Sequence, residues 1–175
     1  MFKKLPLKIL AFTIISTFLI IIAAFFLVRF NSLKEKKITY PELSGFVNDE
    51  ADMFTDEQEE YITDLVGDFE NKTANTIVIL TVDSLKGENI DSYANYIFNR
   101  RGIGNEEKNN GILILLSKRE RQCRIEVGYG LERKVDNGTA ARISKEKMTP
   151  WFSAGYYETG ITEGIKALIE KIGET

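Results

Sequence analysis

From Ile9 to Val28 the chain carries about twenty consecutive residues without a charge. At about 1.5 Å of rise per residue, a helix of that length matches a hydrocarbon core of about 30 Å. The run is longer than a signal-peptide core, and Ile22-Ala23-Ala24 lacks the small residue that a small-x-small cleavage site requires. The pattern therefore predicts a short tail over 1–8, an uncleaved transmembrane signal anchor over 9–30 and a charged juxtamembrane linker over 31–43. Beyond it the spacing of apolar positions changes character. Thr55 followed by Gln58 is a capping-box start, and Ile62, Leu65, Val66 and Phe69 recur at helical spacing, which predicts a helix over 56–71. The run TIVILTV, Thr76 to Val82, is apolar throughout and reads as a central strand covered on both faces. Asn89 or Asp91 caps a second helix that ends before Gly102. A turn-rich loop to Asn110-Gly111 then feeds a strand over 112–116, with an antiparallel hairpin partner over 122–127. A third helix over 138–148 is expected to stop at Pro150, and a fourth covers 156–172. Apolar strands alternating with amphipathic helices give an α/β class, a three-layer α/β/α sandwich with a small mixed central sheet, occupying residues 44–175.

Charge sharpens this picture. Of 23 basic and 26 acidic residues, positions 1–30 hold four basic and no acidic ones, so the remainder carries 19 against 26, or −7. Such an acidic domain suits cations or a basic partner surface and not nucleic acid, whose recognition rests on clustered Lys and Arg. Arg29, Lys34, Lys36 and Lys37 behind the span nearly balance Lys3, Lys4 and Lys8 ahead of it, so the charge count alone leaves orientation open. A short lysine-bearing tail usually stays inside, and the domain is expected on the extracytoplasmic side of the cell membrane. Histidine is absent and cysteine occurs once, at Cys123. That excludes Ser-His-Asp and Cys-His catalysis, HExxH zinc sites and an internal disulfide. No glycine pattern fits an organic cofactor either, since Gly102-Ile103-Gly104 lacks a third glycine and follows a helix.

In the 122–127 strand, Cys123, Ile125 and Val127 alternate with Arg124 and Glu126, so the two charges share the opposite face, where they fit an ion pair. The glycines of Gly128-Tyr129-Gly130 are read as permitting a tight turn at positive φ.

Several separated motifs carry a resemblance. VNDEADMFTDEQ (47–58), TIVILTV (76–82), DSYANYIFNRRGIG (91–104), NNGILILLS (109–117), RIEVGYGLE (124–132) and WFSAGYYETGITEGI (151–165) occur in an order that resembles the TPM domain family over Gly45 to Ile172. The resemblance implies the same sandwich and an acidic pocket at loop ends, with Asp49, Asn110, Glu126, Glu132 and Asp136 as metal-site positions. Oxygen ligands from several loops suit Ca2+ or Mg2+. Turn and capping roles explain Asp49 and Asp136 equally well. Arg133 departs from the pattern, placing a cation where many members have glycine. Relatives include a thylakoid-lumen acid phosphatase linked to photosystem II repair and membrane-anchored bacterial proteins. The expected function is that of a membrane-tethered accessory, held in the lipid bilayer by 9–30 and acting on a membrane-protein partner in assembly, repair or modulation. The alternative is a divalent-metal-dependent phosphatase acting on phosphomonoesters.

Overall fold

In the computed structural model, the backbone is described for residues 7–32 and 38–173, and side chains for 15–27 and 38–173. Two units are separate: one ends at Thr39 and the other begins at Tyr40. Among its described residues the first contains one helix, α1, Leu7–Ser32. Its described large apolar side chains are exposed, with Ile15, Phe18, Leu19, Ile21, Phe25 and Phe26 each at 60% or more. Among the described residues no helix is long and apolar enough to cross a membrane. In α1 those residues are the thirteen positions 15–27, and the rest of the predicted span lies outside them.

The second unit is built around strands that are greasy on both sides. β1 is Val47–Asp49, β2 Thr76–Val82, β3 Gly111–Ser117 and β4 Gln122–Val127, in the order β1-β2-β3-β4. The first three are parallel and β4 closes an antiparallel hairpin on β3. Every residue of β3 and all but the first of β2 are buried, so neither face of the sheet can be left to water. Register places Ile77, Ile79, Ile112, Ile114 and Ile125 on one face, and Val78, Leu80, Leu113 and Leu115 on the other.

The isoleucine face is covered by α2 (Asp56–Thr73), α4 (Asn137–Ile143) and α6 (Tyr157–Gly173). The apolar stripe on α2 is Ile62, Val66 and Phe69, and that on α6 is Ile161, Ile165, Leu168 and Ile172, all buried in one cluster. The opposite face is covered by α3 (Ile90–Arg101) through Tyr93, Ala94 and Ile97. Both crossovers, β1-α2-β2 and β2-α3-β3, join parallel neighbours and step the same way across the sheet. With α2 and α3 on opposite faces, the two crossovers have opposite hands, and one is therefore the left-handed kind that strand twist ordinarily disfavours.

Local signals set the helix ends. Thr55 and Gln58 form the capping box, Asn89 caps α3 by accepting from the N–H groups of Asp91 and Ser92, and Gly102 ends it in the left-handed conformation. Pro150 behaves differently from the expectation that it would end the third helix. A π-helical segment, Ser144–Met148, widens the turn after α4, and the Thr149 N–H bonds the Ser144 carbonyl. The chain then continues as α5, Thr149–Ser153, with Pro150 in its first turn, where a missing N–H costs nothing. The predicted linker also reaches into the fold at its far end. Tyr40 stacks on Tyr96 with ring centroids 3.9 Å apart, and Arg101 bonds Glu42 and the Pro41 carbonyl.

Candidate functional site

Asp49 ends β1, and both of its carboxylate oxygens are committed to the chain. Oδ2 accepts from the N–H groups of Met53 (2.7 Å) and Phe54 (2.8 Å), and Oδ1 accepts from the buried Thr81 hydroxyl. Thr81 Oγ1 in turn accepts from Ala51 N at 3.1 Å. Together these bonds fix the turn that leads from β1 into α2, the role turn chemistry alone assigns to such an aspartate. Asn110 is buried and ties two loops together: its Oδ1 accepts from Asn105 N at 2.9 Å and its Nδ2 donates to the Ala74 carbonyl. Asp136 caps α4, and the bonds it accepts from Thr139 hold its carboxyl below the usual carboxylate range.

Glu126 faces α3, as strand alternation predicts. Its Oε2 accepts from Arg124 Nε (3.1 Å) and Nη2 (3.0 Å), and its Oε1 accepts from Asn95 of α3 at 3.3 Å. Arg124 extends the network to Asp91 and Asn137, so this pair fastens the sheet edge to α3 and α4. Glu132 is exposed, and its carboxylate makes no hydrogen bond or ion pair among the described residues.

Register decides whether these side chains can share a ligand. Asp49 lies in the row of Thr81, Leu116 and Cys123, whereas Glu126 lies in the row of Leu113 and Val78, three residues away and on the other face. The two residues sit on opposite edge strands, roughly 14 Å across the sheet and 10 Å along it. Asn110, Glu132 and Asp136 belong to the loops at the amino ends of the parallel strands, and Asp49 belongs to the carboxyl ends. The five do not share one concavity. Among the described residues no group of three or more His, Cys, Asp or Glu side chains is arranged to hold a metal ion.

At the amino ends, the 102–110 loop and the Gly128-Tyr129-Gly130 loop are in direct backbone contact. Gly130 N donates to Asn109 O and Gly128 N to Gly111 O, each at 2.9 Å. Neither Gly128 nor Gly130 has positive φ, contrary to the turn expected from sequence. Their glycines serve close approach: a Cβ on Gly130 would lie 2.0 Å from the Lys108 carbonyl oxygen. Beside this contact opens a cleft of about 1090 Å³ between the carboxyl-terminal halves of α2 and α6, lined by Gly130, Leu131, Arg133 and Lys134.

The profile of the TPM domain matches residues 47–171. The chain belongs to the TPM domain family. Among solved structures, the N-terminal domain of a protein from P. gingivalis is similar, with 31% identity, a TM-score of 0.67, and coverage of 72% of this chain and 80% of that one. The N-terminal domain of cg2496 from Corynebacterium glutamicum (13% identity, TM-score 0.59, 79% and 88% covered) shares the fold. So does BA42 from the psychrophilic bacterium Bizionia argentinensis (20% identity, TM-score 0.61, 70% and 83% covered). No curated protein matches the chain significantly.

In this TPM domain the carboxyl-end loops hold a second polar cluster. Glu120 accepts from the hydroxyls of Ser84 (2.9 Å) and Ser117 and from Leu85 N (3.2 Å), while Lys118 Nζ donates to the Ala51 carbonyl at 2.6 Å. No single residue there signals the cluster, because it joins the ends of β2 and β3.

Two predictions follow from the loops at either end. Gly130→Ala should destabilise the fold by about 1–3 kcal/mol or more through overpacking. Gly138→Ala, whose Cβ would meet only the Asp136 carboxylate at 3.5 Å, should be neutral or stabilising by up to about 1 kcal/mol. Equal urea midpoints for the two variants would contradict the loop contact. The second prediction concerns acid. Burial pushes the Glu120 carboxyl up, but the bonds from Ser117, Ser84 and Leu85 N–H outweigh it and leave the carboxyl below its usual value. Its stabilising contribution is therefore complete above the ordinary glutamate range of about 4.3 and is lost as pH falls through the lower folded value. The gap in urea midpoint between the parent and Glu120→Gln should accordingly be widest near neutrality and shrink below about pH 4. A gap that stays constant to pH 3 would show that ionisation of Glu120 is irrelevant.

Proposed function

We propose that this protein is a membrane-tethered TPM domain, with its folded unit outside the cytoplasmic membrane, acting as an accessory to another membrane protein in its assembly, repair or modulation. The observation that carries this reading is the surface of α1. Ile15, Phe18, Leu19, Ile20 and Ile21 are all at least 60% exposed, as are Phe25, Phe26 and Leu27. A helix apolar all round has no stable place in water and needs a buried or lipid environment. The uncharged run from Ile9 to Val28 supplies the length for a span. The basic residues ahead of it (Lys3, Lys4, Lys8) and behind it (Arg29, Lys34, Lys36, Lys37) nearly balance, and the orientation rests on the shortness of the lysine-bearing tail. The acidic balance of residues 31–175 fits a partner with a basic surface. The phosphatase reading has no comparable support, because the acids it needs are divided between the two ends and faces of the sheet.

Fractionation of cells expressing the full chain tests the tether. The protein should stay with membranes after alkaline carbonate washing, and protease added outside spheroplasts should digest the domain. A variant with Phe18, Ile21 and Phe25 each changed to Asp should leave the membrane fraction. Crosslinking in intact cells should trap a reproducible adduct with a membrane protein. Recovery of the parent in the soluble fraction, or of a domain that never forms an adduct, would contradict the reading.

A further inference from the structure

The cleft between α2 and α6 is not used by any role assigned above, and its lining departs from the rest of the domain in two respects. Its floor is apolar, formed by Leu65, Phe69, Leu131, Ile169 and Ile172. Its charged lining is Asp68, Lys72, Arg133 and Lys134, a net +2 within a stretch, residues 31–175, that carries −7. Two of the cations are committed. Lys72 pairs with Asp68 at 3.6 Å, and Lys134 Nζ donates to the Ile172 carbonyl at 2.7 Å, which satisfies the carbonyl end of α6. Arg133 is exposed and has no hydrogen bond or ion pair among the described residues. An apolar floor with an exposed guanidinium at its rim fits a molecule with an apolar body and a single negative head.

Size narrows the class further. About 1090 Å³ lies just above the usual size of small-ligand clefts, which run to about 1,000 Å³, and far exceeds what a lone anion fills. The α2 lining runs only from Leu65 to Thr73, a rise of roughly 12 Å, which is short for a docked partner helix of three turns or more. We propose that the cleft binds a fatty acid, with its carboxylate on Arg133 and its chain over the Leu65, Phe69, Leu131 and Ile169 floor. The site depends on the folded unit alone and not on the tether or on any partner.

The test uses the full chain in phosphatidylcholine nanodiscs and a diazirine-bearing dodecanoic acid as the probe, with adducts mapped by mass spectrometry. Adducts should fall on residues 65–73, 130–134 and 169–173, and unlabelled dodecanoate should compete far better than dodecanol. Arg133→Gln, at an exposed position, should lower labelling of these segments about tenfold, the loss expected for one charge-assisted pair. Leu65→Asn should lower it as well by making the floor polar. Adducts confined to α1, equal competition by dodecanol, or unchanged labelling in Arg133→Gln would each overturn the proposal.

Discussion

Two adjacent strands without a polar face constrain everything else in this domain. β2 and β3 bury side chains to both sides, so the fold requires helical cover above and below the sheet. The isoleucine face receives three helices, α2, α4 and α6. The other face receives α3, fastened by the Arg124, Glu126, Asp91 and Asn95 network at the sheet edge and extended by Tyr40 stacked on Tyr96. Placing α2 and α3 on opposite faces while the strands advance in one direction forces one crossover into the disfavoured hand. Coverage of both faces thus outweighs the usual preference.

The polar residues that stand out in the sequence mostly serve this frame. Asp49 holds the β1-to-α2 turn, Asn110 joins the 105–110 loop to the end of α2, Asp136 starts α4 and Glu126 locks the sheet edge. Each is placed where a backbone or a cation needs it, and the strand register keeps Asp49 away from the others. Arg133 lies instead on the rim of the cleft between α2 and α6, exposed and without an ion pair among the described residues.

Much of the fold was legible because its signals are local. The TIVILTV run gives the limits of β2, the Cys123 to Val127 alternation assigns both faces of β4, and Thr55-Gln58 and Asn89 mark helix starts. What was not legible depends on partners distant in the chain. β1 has three residues, too few for any periodicity, and exists because β2 offers it an edge. Pro150 reads as a stop only while a regular α turn is assumed, and the π segment removes the clash. Gly128 and Gly130 look like turn formers, yet the Asn109 and Lys108 carbonyls are what exclude a side chain there. The Glu120 cluster and the cleft arise only when separate strands and helices meet, so no spacing announces either.

If cover on both faces is the condition for this sheet, α3 cannot open on its own, because doing so would bare Val78, Leu80, Leu113 and Leu115 to water. Native-state hydrogen exchange of the full chain measures this directly. The expected result is that the slowest amides of α3 and those of β2 and β3 exchange together, with the same opening free energy and the same denaturant dependence. Exchange of α3 through a smaller, separate opening while β2 and β3 stay protected would contradict the account.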